Sequence, residues 1–402
     1  MNIKSSIRLL LSASIVSQGI SFFSVYLISI IYMSEDIGFY GYIVSSIAIG
    51  SIILSFRYEN LIYRVELDKS YGFSIFLVFL SLSFLLVILL ILSVFNLEVI
   101  KWQYFILFGS YGYCIFNIAV NLSVRLSKTP KELAQGKLLR SGFELSITLI
   151  LILFGFDINY IIGSLIFSYF SASLFLFIKL SGLKINFNLK YFFHENYSIA
   201  FKNFKFIRMD FPASVINAVV INSPVVFLYS SDAMSEYTAI YFLLSRFLGA
   251  PLILVAQSIG LALKQDVQKR LDINESSVLS SDFVHKKIPY FILFLSVFSV
   301  AVSVVIFNTI ELNINYYDYI YICFFIAPMF LMRFAFNCFS GLIYVYGWYA
   351  FNLLFNLLSL VMVLISFFLL PNPYSIYLYC ISMTIIYLFS YFYINLNLRR
   401  FS

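Results

Sequence analysis

Two arginines interrupt long apolar runs, and they are the residues of this sequence best suited to bind a charged ligand. Arg246 and Arg333 each lie within a stretch of mostly apolar residues. A charge in the middle of a membrane costs at least about 2.5–3.5 kcal/mol on insertion scales, so such side chains generally face a protein interior or a water-filled path. A guanidinium there favours an anionic ligand. The alternative is a structural role, such as a bond from Arg333 to Asn337 one helical turn away.

A further group of charges lies in the segment FRYENLIYRVE, residues 56–66, which directly follows an apolar run. Continued as a helix at about 100° per residue, the segment sorts its polar side chains into two stripes. The basic stripe is Arg57, Asn60 and Arg64, and the acidic stripe is Glu59, Tyr63 and Glu66. We predict that the basic stripe faces the mouth of an anion path and that the acidic stripe pairs with the basic connection 125–140. The alternative is a solvated helix end whose charges only mark one side of a membrane.

Several polar residues supply secondary candidates. Amides within or near apolar runs can contact a polar ligand or hydrogen-bond between helices. They include Asn217, Asn222 and Gln257. Gly249 and Pro251 can break the helix beside Arg246, which predicts either a hinge or a packing kink.

Two carboxylates are candidates for proton coupling. Asp210 lies two residues before Pro212, where it either couples to a proton or caps the following helix. Glu59 is the second candidate.

No metal site or resident cofactor is expected. The 4 cysteines lie in apolar stretches and form no CxxC pair, which favours buried thiols that act as small hydrophobic side chains. His194 and His285 lack metal-ligand spacing, and no phosphate-binding loop points to ATP. If the protein is a transporter, a proton or other ion gradient could therefore supply the driving force.

The composition places these residues in an integral membrane protein. The chain has 402 residues, of which 62% are hydrophobic and 11% charged. An ordinary soluble domain is about 45–50% apolar and about 25% charged. Lipid can absorb this apolar excess, whereas a water-soluble core cannot.

Segments of about 20 apolar residues can cross a membrane as helices. Twelve segments qualify, and the first is too long for the apolar part of a signal peptide. They are 9–33, 38–56, 72–96, 103–124, 141–156, 159–181, 212–230, 237–263, 288–307, 317–341, 346–370 and 374–397. The longest connection divides the chain into a first bundle at 1–181, a cytoplasmic connection at 182–211 and a second bundle at 212–402. Within the connection, 199–208 is predicted to form a helix in the plane of the membrane surface.

The basic residues predict the orientation. All but three of the 26 Lys and Arg residues fall on one side of the predicted spans or at its membrane edge. Such an excess marks the cytoplasmic side, so both termini are expected in the cytoplasm. The even spread of these charges over the inner loops favours contact with anionic lipids and argues against a nucleic-acid surface.

Three stretches resemble polysaccharide or O-antigen flippases (Wzx-type) of the multidrug/oligosaccharidyl-lipid/polysaccharide exporter superfamily. They are GFYGYIVSSIAIGSIILSFRYENLIYRVE (38–66), NLSVRLSKTPKELAQGKLLRSGFELSITLIL (121–151) and DFPASVINAVVINSPVVFLYSSDAMSEYTAIYFLLSRFLGAPLILVAQSIG (210–260). Their order spans both halves of the chain. The resemblance implies an all-α membrane fold of about twelve helices in two six-helix bundles around a central cavity.

The resemblance also implies a cargo and partners. The cargo would be an undecaprenyl-pyrophosphate-linked oligosaccharide that crosses from the cytoplasmic to the periplasmic leaflet by alternating access. Its pyrophosphate would suit Arg246, Arg333, Arg57 and Arg64, because guanidinium groups grip phosphate oxygens with paired donors. Membrane lipids and other surface-polysaccharide assembly proteins would be its partners.

Two other functions remain open on the sequence. A drug or metabolite exporter of the same superfamily would share the fold, although its cavity would generally be acidic to suit cationic cargo. A polysaccharide polymerase or ligase usually carries a large outer loop, whereas every predicted outer loop here is short. The prediction is therefore a transporter and not an enzyme.

Overall fold

A computed structural model gives the architecture of the chain. It describes residues 3–63, 65–94, 101–126, 131–180, 189–230, 235–249, 251–253, 255–256, 259–260, 316–346, 348–371 and 374–400. Every regular element within these ranges is helical. The chain divides into two compact units, Met1–Asn222 and Ser223–Ser402.

The first unit contains seven helices and the start of an eighth, together with one short 3-10 helix at Tyr58–Tyr63, among its described residues. The helices are α1 (Ile3–Ile31), α2 (Ser34–Ser55), α3 (Leu67–Val94), α4 (Lys101–Leu126), α5 (Lys131–Leu153), α6 (Ile158–Leu180), α7 (Leu189–Lys202) and α8 (Phe204–Ser230), which continues into the second unit. Helix α4 packs on α2, α3 and α6, while α5 packs on α1 and α6. The core of this unit is therefore built around α4 and α5.

The second unit continues α8 and adds the helices of the second half. They are α9 (Ser235–Leu244), a π-helical turn (Ser245–Gly249), α10 (Tyr316–Val345), α11 (Tyr349–Leu369) and α12 (Tyr374–Arg400). Helix α10 packs on α12 and contacts α9 and the π-helical turn, and α12 also packs on α11. The predicted ninth span, 288–307, lies outside the described residues.

Eight of the described helices are long and apolar enough to cross a membrane. Many of their large apolar side chains are exposed, such as Leu90 at 63%, Phe368 at 70% and Phe389 at 70%. Exposing this apolar surface to water would cost about 25 cal/mol of free energy per Å². Contact with lipid chains has no such cost. The described part of the chain is thus a multi-pass membrane protein.

Small residues allow the close helix contacts of the first unit. A Cβ on Gly109 of α4 would collide with Ile47 of α2, and one on Gly136 of α5 would lie 2.7 Å from the side chain of Leu176 on α6. Helices in lipid gain little from a hydrophobic effect between them, so close packing at small residues stabilises their association.

The fifth helix begins earlier than predicted. Helix α5 starts at Lys131, so Lys137 and Arg140 lie within it and not in a loop before residue 141. The apolar count missed this because it treats charged residues as span ends. A membrane helix can nevertheless contain an arginine when a side chain on the same face of the helix pairs with it.

The predicted in-plane helix is also shifted. Helix α7 ends at Lys202 and α8 begins at Phe204, so the expected helix 199–208 is interrupted at Asn203. The side-chain amide of Asn203 donates to the Ile199 carbonyl oxygen at 2.9 Å. This local bond competes with the backbone ladder and helps the chain to turn.

A contact at one end of the first unit agrees with alternating spans. The Tyr32 hydroxyl, between α1 and α2, donates to the Phe156 carbonyl oxygen, between α5 and α6, at 2.6 Å. These are two connections that the twelve-span prediction places on one side of the membrane. Burial and the charges of Asp36 and Asp157 raise the pKa of the Tyr32 hydroxyl, because each disfavours the phenolate.

Candidate functional site

The FRYENLIYRVE segment does not continue α2 as an α-helix. Phe56 and Arg57 adopt left-handed conformations, with φ of 48° and 60°, and the 3-10 helix follows directly. A left-handed residue other than glycine costs roughly 1–2 kcal/mol. The Phe56 ring offsets this cost by packing on Phe84 and Phe211, with ring centroids 4.6 and 4.9 Å away. The continued α-helix on which the predicted basic and acidic stripes depend therefore does not form.

The reversal turns Glu59 into the protein interior. Its side chain is 3% exposed and one carboxylate oxygen, Oε1, lies 3.4 Å from Nη1 of Arg57. Among the described residues, the other oxygen, Oε2, and the Arg57 Nε have no hydrogen-bond partner. The side-chain amide of Asn121 on α4 donates to the Glu59 carbonyl oxygen at 3.4 Å. Glu59 is thus a buried carboxylate with spare acceptor capacity, held by the start of the 3-10 helix.

Asn60 links the 3-10 helix to α8. Its side-chain Nδ2 donates to Oδ2 of Asp210 at 3.1 Å, and Asp210 is buried at 4% exposure. The alternative of Asp210 as a helix cap is wrong, because α8 already begins at Phe204. Two of the candidate residues that lie far apart in the sequence, Glu59 and Asp210, therefore sit at the same end of the first unit on either side of Asn60.

No ion pair of the described residues joins the acidic residues of the segment to the basic connection 125–140. Arg125 Nη2 instead donates to the Val65 carbonyl oxygen at 2.8 Å. Glu66 accepts from Lys69 at 2.8 Å, and Lys69 also reaches Glu195 on α7 at 3.1 Å. Arg64 lies outside the described residues.

A second charge pair lies inside the first unit, and the sequence prediction missed it. Arg140 and Glu144 lie one turn apart on α5, with Nη2 and Oε2 separated by 3.2 Å. The Ser21 hydroxyl of α1 donates to the same carboxylate oxygen at 3.1 Å. The Arg140 guanidinium also lies 5.2 Å from the ring centroid of Tyr169 and 5.9 Å from that of Phe116. Three neighbouring helices thus position one ion pair.

One signal in the sequence could have revealed this pair. Glu144 is a carboxylate inside the predicted fifth span and lies four residues after Arg140. Side chains at this spacing meet on a helix surface. A charged residue within an apolar segment is expected to pair with another polar side chain or to have a function.

In the second unit, Arg246 lies on the π-helical turn at the end of α9 and its side chain is exposed. Its guanidinium sits 5.3 Å from the ring centroid of Phe242. A cation above an aromatic face is stabilised by about 0.5–1 kcal/mol at exposed sites. π-helical turns inside α-helices frequently occur at functional sites.

The candidate hinge residues follow directly. Gly249 ends the π-helical turn and is buried, and a Cβ there would lie 2.7 Å from the Phe330 ring of α10. Pro251 lies in a short helical stretch beyond it. Gln257 is outside the described residues. The π-helical turn is an irregularity of the backbone at Arg246. The hinge role of Gly249 and Pro251 stays a prediction.

Arg333 lies on α10 beside buried tyrosines. Its charge acts on the hydroxyl groups of Tyr241, Tyr379 and Tyr387, each under 5% exposed. The Tyr241 and Tyr379 rings meet edge to face with centroids 6.3 Å apart. A guanidinium among phenol hydroxyl groups can bind an anion together with them or remain a structural contact.

The amides separate into two environments. Asn217 is exposed on α8, whereas the Asn222 side chain donates to the Ala218 carbonyl oxygen of its own helix at 2.8 Å. Asn217 is therefore available to a ligand, and Asn222 is satisfied within the helix. Within the described residues, no group of three His, Cys, Asp or Glu side chains could hold a metal ion.

Comparison with known proteins shows the fold. No family model and no curated protein sequence matches the chain. Solved structures match it over its full length. One, described as the outward-facing conformation of a multidrug resistance MATE family transporter of the MOP superfamily, has 12% identity and a TM-score of 0.63 over 100% of this chain and 97% of that one.

Two further matches agree. A MATE transporter in complex with MaD5 has 13% identity and a TM-score of 0.62 over 99% of this chain and 96% of that one. A MOP superfamily transporter from Pyrococcus furiosus, described as having a binding pocket of reverse polarity that suggests a different function, has 12% identity and a TM-score of 0.51 over 100% and 97%. The predicted all-α membrane fold is confirmed, the predicted flippase family is not, and the chain has the fold of the MATE transporters of the MOP superfamily.

Proposed function

We propose that the chain is a flippase that moves undecaprenyl-pyrophosphate-linked oligosaccharides from the cytoplasmic to the periplasmic leaflet of a bacterial inner membrane. Alternating access between its two units would carry the cargo. The fold of known transporters supports transport over catalysis. The observation that carries the choice of cargo is the exposed Arg246 on the π-helical turn.

The charges of the described helices favour an anionic cargo. The buried carboxylates Glu59, Glu144 and Asp210 face Arg57, Arg140 and Asn60, respectively. No ion pair of the described residues includes Arg246 or Arg333. Both guanidinium groups are therefore candidates to bind a ligand, and pyrophosphate offers paired acceptors for a guanidinium.

A drug or metabolite exporter is the competing function, because several structural neighbours are described as multidrug resistance transporters. Cationic drugs would need an exposed carboxylate in the path. The reverse pocket polarity described for the Pyrococcus furiosus transporter supports the idea that this fold accommodates more than one sign of cargo charge.

Energy for the cycle would come from a proton or other ion gradient. Glu59 and Asp210 remain the proposed coupling residues, since both are buried carboxylates beside the 3-10 helix. Both termini would lie in the cytoplasm. Membrane lipids and surface-polysaccharide assembly proteins would be the partners.

Deletion and complementation in the source bacterium test the function. A strain lacking the protein is expected to accumulate lipid-linked repeat units on the cytoplasmic face, and the wild-type gene is expected to restore export. Repeat units presented on the periplasmic face of the deleted strain would refute the proposal.

Variants of Arg246 test the site. Arg246→Ala is expected to reduce export by about tenfold, corresponding to one lost charge-assisted contact of about 1.4 kcal/mol, and Arg246→Lys to retain part of it. Arg208→Ala, an exposed arginine near the start of α8, is the matched control and should export normally. Normal export by a stably expressed Arg246→Ala protein would remove Arg246 from the cargo path.

A further inference from the structure

A groove on the surface of the first unit has no role in the site described above. It is an open groove of about 540 Å³ that runs along α5 and is bordered by one residue of α6. Its lining is Gln135, Leu138, Leu139, Gly142, Phe143, Ser146 and Phe175. The α5 members recur every three or four residues, so they form one line along the helix over roughly 16 Å.

Glycine creates the depth of this α5–α6 groove. A Cβ built on Gly142 meets no atom within 4 Å, so open space lies directly above the backbone of α5. Six residues earlier, which is about 1.7 helical turns, Gly136 instead packs closely on Leu176 of α6. The two helices therefore meet at Gly136, and Phe143 and Phe175 are among the residues that line the open groove at Gly142.

One end of the groove is basic. The ammonium group of Lys179 lies 5.9 Å from the ring centroid of Phe175, which lines the groove. Lys131, exposed at the first residue of α5, lies one turn before Gln135. Apolar walls that lead to two ammonium groups suit an amphiphile with a hydrocarbon chain and an anionic head.

The other end runs into the membrane-exposed surface. Beyond Ser146, α5 exposes Ile150 at 53% and Leu153 at 81%. A chain lying in the groove can thus continue into lipid. Planar unsaturated isoprene units also present flat faces to the two phenylalanine rings, which saturated acyl chains do not.

We propose that the α5–α6 groove binds the isoprenoid chain of a polyprenyl phosphate, with its phosphate at the Lys131 and Lys179 end. The inference rests on the proposed flippase function, which supplies such a lipid as cargo. It assigns a first binding site for the cargo lipid to the first unit, from which the pyrophosphate would pass to the arginines proposed in the second.

Binding of undecaprenyl phosphate to the purified full-length protein tests the groove by native mass spectrometry. Gly142→Leu fills the open space and is expected to weaken binding by about tenfold. Gly163→Leu is the matched control, because Gly163 on α6 also has open space above it but does not line the groove. It should bind as the wild type does.

Two further arms identify the ligand. The double variant Lys131→Ala/Lys179→Ala should abolish the preference for undecaprenyl phosphate over undecaprenol, because the head loses both cations. Dioleoylphosphatidylglycerol should compete poorly with undecaprenyl phosphate. Equal binding by Gly142→Leu and Gly163→Leu, or equal competition by phosphatidylglycerol, would overturn the inference.

The outcome separates this inference from the proposed function. Loss of binding in Gly142→Leu supports the groove even if the deleted strain still exports repeat units, which would refute only the flippase. Wild-type binding by Gly142→Leu refutes the groove even if export depends on the protein.

Discussion

At the residue scale, the Arg140–Glu144 pair shows why a charge can stay inside an apolar helix. The Glu144 side chain is 5% exposed and that of Arg140 24% exposed. The carboxylate accepts hydrogen bonds from the guanidinium and from the Ser21 hydroxyl. The guanidinium also lies against two aromatic rings. Each charge is offset by specific contacts, so removing one partner costs more than removing both.

The pair predicts an asymmetric mutant series. Arg140→Ala is expected to lower the free energy of unfolding by about 3 kcal/mol, at the lower end for breaking a buried pair because the guanidinium keeps some exposure. The double variant Arg140→Leu/Glu144→Leu is expected to recover most of this loss. The buried thiols of Cys114, Cys338 and Cys380 allow thermal unfolding in detergent to be followed with a thiol-reactive dye.

The control for this series is Ser21→Ala, which removes the hydrogen bond that the hydroxyl donates to Glu144 and the one it accepts from Arg140, and should cost about 1–2 kcal/mol. If Arg140→Ala were as stable as the wild type, or if the double variant were less stable than Arg140→Ala, the pair would not carry the energy assigned to it.

At the element scale, the π-helical turn depends on a close contact between two helices. Gly249→Ala would place a methyl group 2.7 Å from the Phe330 ring and is expected to cost about 1–3 kcal/mol through overpacking. Phe330→Leu in the same protein is expected to relieve the collision. A double-mutant cycle on the free energy of unfolding should give a coupling energy of at least about 0.5 kcal/mol between the two residues. Strict additivity would contradict the contact.

Helix α7 presents a second testable arrangement. Its buried side carries Asn196 and Ala200, while Phe193, Tyr197 and Phe201 are exposed at 45%, 62% and 68%. The Phe193 ring meets Phe76 of α3 edge to face at 6.3 Å, so the exposed aromatic stripe continues the apolar surface of α3. This arrangement predicts that α7 lies in the membrane surface with its aromatic stripe in lipid.

Tryptophan scanning checks the position of α7. In a background with Trp102 and Trp348 replaced by Phe, Phe201→Trp is expected to be strongly quenched by brominated lipids. Lys202→Trp, one residue on and about 100° around the helix, should be quenched much less. Equal quenching at the two positions would mean that the stripe does not enter lipid.

The elements also show what the sequence could and could not predict. Apolar runs located the long described helices, because burying a span in lipid depends on length and composition. They placed the starts of α5 and α8 about ten and eight residues too late. They missed the break at Phe56, since its left-handed backbone is stabilised by Phe84 and Phe211, which lie far away in the chain. They missed Asn60–Asp210 for the same reason. Stripes drawn on an assumed helix cannot anticipate contacts made by tertiary structure.

At the scale of the whole molecule, the ends of the first unit separate by charge. The Tyr32–Phe156 contact lies near Asp36 and Asp157. Basic residues dominate the segments at the other end, which the sequence assigns to the cytoplasm. Acidic outer and basic inner ends match the orientation rule for membrane proteins.

Cysteine labelling decides this orientation. With Cys323 replaced by serine, the remaining native cysteines are buried. Met33→Cys, at a position 78% exposed between α1 and α2, is expected to react with a membrane-impermeant maleimide in intact cells. Lys131→Cys, exposed at the start of α5, should react only after the membrane is permeabilised. The reverse pattern would place the termini outside, and the proposed path for cytoplasmic lipid-linked cargo would then run in the wrong direction.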